Sequence, residues 1–363
     1  MINPGTEIKI GNKIVKNRIT MAPTVKFAAG DDGLVTNEFV EHYEERARHG
    51  VGLIVVEATC IAKEGRLHPT QLGLWNDEQI EGHKRIVEAV HNYGTLVIPQ
   101  IHHGGLGTHK DCGPMVSPTK IMWNNGLKEE ETRELTVEEI KKIEKQFIDA
   151  ALRAKKAGYD GVQLHACHGY LINAFTSFVN KRKDEYGGST KNRARFGCEI
   201  IEGIRKECGS DFIISARVSG YDPSLEESVE IAKYYVESGC DYLQVSSGIE
   251  GLDRLSHNEE LPYNKIVALG VNMKKQLGNL VPVSVVNGLR NVEKVKYIFE
   301  NDLADTVDLA CGLLADPRFT EAILNEEDYV PCFNCPDCAY GPEHKHKCPA
   351  AIKRGIIEFK SVL

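Results

Sequence analysis

The 363-residue chain has little of what would send it into a membrane, out of the cell or onto nucleic acid. No apolar run reaches the roughly 18–20 residues that span a bilayer. The start, Met1-Ile2-Asn3-Pro4-Gly5, lacks a basic stretch followed by an apolar one. No secretory signal is therefore read, and a reducing, cytoplasmic setting is expected. Positive charge is not in excess: 44 Lys and Arg face 52 Asp and Glu, for a net charge of −8. That disfavours a general phosphate-binding surface, nucleic acid included, and leaves room for a local basic pocket. No G-x-G-x-x-G follows any apolar run and no P-loop occurs, so a separate dinucleotide domain has no support. Tryptophan is scarce, with Trp75 and Trp123 alone. Neither is read at a strand end, so no aromatic cage for a quaternary amine is evident. Cysteine is abundant instead. Of 11, seven are scattered, and Cys332, Cys335, Cys338 and Cys348 crowd into 17 residues.

With 42% hydrophobic and 26% charged residues, the composition is that of a globular protein. Eight short β-rich runs recur at residues 18–22, 53–57, 96–100, 161–165, 212–217, 242–246, 281–286 and 306–310, with helical segments between them. Near-continuous apolar runs suit strands buried on both faces of a parallel sheet. The helical segments carry stop signals: Arg46-Ala47-Arg48-His49-Gly50, Lys155-Lys156-Ala157-Gly158 and Arg205-Lys206-Glu207-Cys208-Gly209 each place cations before Gly. Eight such units predict an α/β fold, a TIM (β/α)8 barrel. Two doubly wound halves are the structural alternative. The expected division is a barrel over 1–325 and a cysteine-rich, metal-cluster extension over 326–363.

In a barrel, chemistry sits where strands end. Those positions hold Pro23-Thr24, Ala58-Thr59, Gln100 with His102 and His103, His165 with His168 and Tyr170, Arg217, Ser246-Ser247, Asn287-Gly288 and Ala310-Cys311. Two imidazoles, His165 and His168, can donate to one substrate oxygen, and a nearby phenol, Tyr170, can supply a proton. The plainer reading makes the pair hydrogen-bonded fold residues. Zinc lacks an evident third ligand there. Arg217 suits charge compensation for a reduced cofactor, or a salt bridge to an acidic strand residue such as Glu57. Gln100 can donate and accept, which suits a flavin or nucleobase edge. Asn287, Gly288, Ala310 and Cys311 lie where the last two strands of such barrels bind phosphate, or are ordinary turns. The run Cys332-x2-Cys335-x2-Cys338-x9-Cys348 reads as a metal site, more cluster-like than zinc-ribbon-like. His344 and His346 are substitute ligands or exposed loop residues.

Beyond these local readings, the chain resembles the old yellow enzyme family of flavin oxidoreductases, in the branch of 2,4-dienoyl-CoA reductase, 2-enoate reductase and trimethylamine dehydrogenase. The segments 16–23, 52–59, 100–105, 165–171, 184–189, 192–196 and 314–317 and the terminal Cys run carry the resemblance. It implies FMN in a TIM barrel and a [4Fe–4S] cluster on Cys332, Cys335, Cys338 and Cys348. Pro23, Thr24, Ala58, Gln100 and Arg217 match flavin-ring positions; Asn287, Gly288, Ala310 and Cys311 match phosphate positions. His165 and His168 match the pair binding the substrate's activating oxygen, and Tyr170 matches the proton donor. There are two departures. Ala310-Cys311 stands where the family has Gly-Arg, so either FMN is expected to bind more weakly or another cation, such as Lys26 or Arg290, to substitute. The last Cys gap, x9, is short for the branch, which leaves zinc open.

The function implied is FMN-dependent reduction of the C=C bond of an α,β-unsaturated carbonyl, enoate or enoyl-thioester. NADH or NADPH, or a ferredoxin-like or flavoprotein donor, would supply electrons, and a homo-oligomer is expected. The alternatives are a flavin-dependent amine dehydrogenase or N-demethylase passing electrons to the cluster, and an FMN-free, non-catalytic barrel.

Overall fold

A computed structural model describes residues 2–356 apart from 125, 127–128, 250–251, 254, 336–337 and 339–347. Eight parallel strands close on themselves: β1 (Ile19–Met21), β2 (Leu53–Cys60), β3 (Leu96–His102), β4 (Gly161–Ala166), β5 (Ile213–Ser219), β6 (Tyr242–Ser246), β7 (Val283–Val286) and β8 (Thr306–Leu309). Their order around the barrel is their order in sequence, and β8 pairs back to β1. The closed order excludes two doubly wound halves. Each apolar run read from the sequence is one of these strands. All eight residues of β2 are buried, as strands flanked by helices outside and side chains inside must be.

The outer ring is α1 (Asn37–Arg48), α2 (Ile80–His91), α3 (Val137–Lys156), α4 (Thr190–Cys208), α5 (Leu225–Glu237), α6 (Lys265–Leu277), α7 (Val292–Glu300) and α8 (Phe319–Leu324). Polar caps start several of them. Thr136 and Glu139 form a reciprocal capping box on α3, which satisfies two otherwise orphaned backbone N–H groups. Past the ends of α1, α3 and α4, Gly50, Gly158 and Gly209 take φ values of 90°, 91° and 81°. A side chain is strained in that left-handed region, so the stop signals act as read.

Two features aim the mouth. A register shift between Val56 and Ala58 against Pro99 and Gln100 marks a bulge at Glu57. It turns Glu57 into the wall, where its carboxylate accepts from the Lys26 backbone N–H at 2.8 Å, and leaves Ala58 lining the mouth. An N-terminal hairpin, Ile8–Ile10 paired with Lys13–Val15, closes the opposite end. Its Ile8, Ile10 and Val15 pack with Leu53, Val55, Ile98, Ile213 and Tyr242.

After α8, the described part of the extension lies against the barrel. The Arg354 guanidinium donates to the carbonyls of Pro331 at 2.7 Å and Val330 at 3.2 Å. A short helix, Pro349–Lys353, buries Ala350 and Ala351 against the helical turn Cys311–Ala315 that opens the β8 loop. His344 and His346 lie outside the described residues.

Candidate active site

A cavity of about 820 Å³ opens at the C-terminal mouth. Pro23, Thr24, Ala58, Gln100, His165, His168, Tyr170, Arg217, Asn287, Gly288, Ala310 and Cys311 all line it. The strand-end rule thus collected residues from seven of the eight strands into one space. Lys26 does not line it, while Arg290 does.

The imidazole pair is bonded to itself. His165 Nε2 and His168 Nδ1 are 3.1 Å apart, and His168 Nε2 lies 2.8 Å from Ser246 Oγ. Either tautomer gives a continuous chain from Ser246 to His165, whose Nδ1 is buried with no partner among the described residues. His168 holds its ring there from a left-handed φ of 60°, a strained backbone of the kind that clusters at functional sites. Joint donation to a substrate oxygen, as expected from sequence, therefore requires this bond to open. Burial lowers both rings, His168 to about 3 and His165 well below the usual histidine range, with the neighbouring charges adding to it. Both are neutral at physiological pH. Cys167 supplies the third potential ligand that the sequence did not reveal, its sulfur grouped with the two rings. Burial pushes its thiol up to about 12.

Tyr170 leans on these rings, with centroid distances of 4.5 Å to His165 and 4.6 Å to His102. Gly107 makes room for it, since a Cβ there would meet Tyr170 Cε1 at 2.8 Å. Burial raises the phenol to about 12, opposed by the Arg217 charge, so it carries its proton at neutral pH. His102 is fully buried, and neither ring nitrogen has a partner among the described residues.

Arg217 is not paired with Glu57. Its Nε is buried without a partner among the described residues, and its Nη2 reaches Ser246 Oγ at 3.5 Å. Glu57 is committed to the Lys26 N–H and to Tyr43, so the salt-bridge reading is corrected. Gln100 donates to Gln163 Oε1 at 2.8 Å and keeps its carbonyl oxygen for the cavity. Asp308 also lines the cavity. Burial raises its carboxyl to about 6, the Arg217 charge opposing it, and neither carboxyl oxygen has a hydrogen-bond partner among the described residues.

At the other end, Asn287 and Gly288 take φ of 88° and 71°. Cys311 lies beside Cys332 and Arg290, whose influence lowers its thiol to about 6. Trp123, on a short strand of the β3–α3 connection (Met122–Asn124), lines the cavity as well. The strand-end rule missed it because it reaches the mouth from an insertion rather than a strand end.

A closed barrel thus gathers two neutral imidazoles, a protonated phenol and a guanidinium with no carboxylate partner among the described residues around one cavity. Residues 6–328 match the NADH:flavin oxidoreductase / NADH oxidase family, and the chain belongs to it. An NADH oxidase of Thermoanaerobacter brockii is 36% identical over 347 residues, covering 91% of this chain and 52% of that protein. A structure of 2-naphthoyl-CoA reductase with 2-naphthoyl-CoA has a TM-score of 0.86 at 28% identity, over 96% of this chain and 56% of that one. The old yellow enzyme homologue from Zymomonas mobilis gives 0.77 at 25% identity, over 95% and 97%. The resemblance to the old yellow enzyme family holds, and the chain spans about half the length of the first two proteins.

Proposed function

We propose that this barrel binds FMN and reduces the C=C bond of an α,β-unsaturated carbonyl, enoate or enoyl-thioester, with NADH or NADPH as electron donor. The residues present fit the cofactor. The unpaired Arg217 Nε and the Gln100 carbonyl suit an electron-rich, hydrogen-bonding ring, with Pro23, Thr24 and Ala58 around it. Asn287, Gly288, Ala310 and Cys311 would surround the phosphate. Reduced FMN, when bound, supplies the hydride for the β-carbon of the substrate. His165 and His168, once the bond between them opens, bind and polarise the substrate oxygen as neutral donors. Tyr170 holds the proton that the α-carbon receives. Arg217 keeps a fixed positive charge against the ring, where negative charge collects on reduction.

The observation that carries this reading is the protonation pattern: two neutral imidazoles and a protonated phenol share one cavity. Amine dehydrogenation or N-demethylation would need a cavity for a cation. Phe27, Trp123 and Tyr170 line the space, but so do Arg217 and Arg290 against one carboxylate, Asp308. That balance favours a carbonyl or anionic substrate over an ammonium.

The extension suits a [4Fe–4S] cluster. Cys332, Cys335, Cys338 and Cys348 are free thiols, the donor set such a cluster takes, and the Asn334 N–H points at Cys332 Sγ from 3.4 Å. The cluster would give a ferredoxin-like or flavoprotein donor a route to the barrel. A unit over 326–363, zinc as the other metal, cytoplasmic location and a homo-oligomeric state belong to the same proposal.

Anaerobic purification with flavin, iron, sulfide and zinc quantified together tests it. The expected result is flavin with iron and sulfide, and reduced flavin reoxidised by an enone or enoyl-thioester. Reaction with a methylated amine alone would overturn the reductase reading. Colourless protein that FMN cannot reconstitute would leave the non-catalytic barrel.

A further inference from the structure

We propose that Arg290, four residues past β7, supplies the guanidinium for the FMN phosphate that residue 311, a cysteine here, does not provide. The inference rests on the FMN reading above. A thiol cannot make the two-pronged contact of a guanidinium with phosphate, so a cation from elsewhere must reach that end of the cavity. Three candidates exist. Lys26 is committed: its Nζ pairs with Glu38 Oε1 at 2.7 Å and lies 5.9 Å above the Phe39 ring, outside the residues that line the cavity. Arg217 belongs to the opposite end, since its Nη2 reaches Ser246 Oγ at 3.5 Å, the same hydroxyl that bonds His168. Arg290 follows Asn287 and Gly288 on the β7 loop and shares the cavity wall with them and with Cys311. It lines the cavity, and its Nε is buried with no hydrogen-bond partner among the described residues.

The loop that carries it is held in place. Asn287 and Gly288 are both left-handed, and a Cβ on Gly288 would meet Asn264 Nδ2 at 2.6 Å. The turn therefore presses against the start of α6 and carries Arg290 into the cavity wall that Cys311 also lines. The guanidinium arrives at the same phosphate end from the β7 loop rather than the β8 loop.

The test compares FMN with riboflavin, which has the ring and lacks the phosphate. Both are titrated into the flavin-depleted full chain and followed by quenching of flavin fluorescence. Arg290→Ala is expected to weaken FMN about 10–100-fold, the worth of a charge-assisted contact, and to leave riboflavin within about twofold. Arg290→Lys should fall between Ala and wild type. Lys26→Ala should change neither ligand's affinity relative to the other. Adding Cys311→Arg to Arg290→Ala should restore FMN binding, which a general folding defect would not allow. If Arg290→Ala binds FMN as wild type does, or loses FMN and riboflavin equally without rescue, the assignment is wrong. If the wild-type chain binds neither flavin, the FMN reading itself fails, and Arg290 with it.

Discussion

Tyr170 meets two requirements of a proton donor at once. It lines the cavity, and burial keeps its phenol protonated to about pH 12. Tyr170→Phe removes the proton while keeping the ring against His102 and His165. It is expected to slow oxidation of the reduced enzyme by an enone about 10²–10⁴-fold, with reduction by NADH unchanged, in anaerobic stopped-flow traces. Equal slowing of both half-reactions would assign Tyr170 to packing. At this scale the sequence was informative about position and poor about pairing. The strand-end rule found His165, His168, Tyr170 and Arg217 because a barrel fixes where strand ends go. It did not show that the two imidazoles bond to each other, that Cys167 joins them, or that Arg217 lacks Glu57, because those facts depend on rotamers. His102 was visible at its strand end, but the lack of a partner for either ring nitrogen among the described residues was not.

Among the elements, the bulged strand β2 carries a titration that can be isolated. Burial raises Glu57 from 4.5 to about 7, and the Lys26 N–H and Tyr43 only partly offset it. A carboxyl whose folded pKa is raised stabilises the fold while protonated, and that stability is lost as pH rises through about 7. The shift corresponds to about 3 kcal/mol. Glu57→Gln stays neutral throughout, so its Tm relative to wild type should rise between pH 5 and pH 8. A flat difference would mean that Glu57 is already ionised in the fold. Such a bulge was not legible, because the run 53–57 reads as a plain buried strand and the extra residue shows only against Pro99. The helix ends were legible, since cations followed by Gly state their own geometry at Gly50, Gly158 and Gly209. The extension makes a separate prediction. Cys335→Ala should remove iron and sulfide from the anaerobically purified protein while flavin is retained. Unchanged iron would show that the four thiols hold no cluster.

The whole molecule buries several titratable groups with opposite pH dependence, and their balance can be worked out. Five histidines are held neutral by burial: His83 and His103 at about 4, His168 at about 3, and His102 and His165 well below the usual range. The unfolded chain protonates each near pH 6.5, so each contributes stability that is lost as pH falls from about 6.5 toward the folded value. Three carboxyls act the other way, with Glu57 and Glu144 raised to about 7 and Asp308 to about 6. Near pH 5 the unfolded state carries roughly five extra protons on histidine, and the folded state roughly three on carboxyls. The histidines therefore win, and Tm should fall steadily from pH 7 to pH 4.5. His83 allows a clean check, because it lies away from the cavity, bonded to Tyr159 Oη at 2.8 Å and the Gly73 carbonyl at 3.0 Å. His83→Gln cannot take up a proton, so its Tm should decline less steeply with acid than wild type, even if it starts lower. A slope unchanged by His83→Gln would mean that the acid sensitivity has another source. A Tm that rises on acidification would show that the carboxyls, not the imidazoles, set the balance.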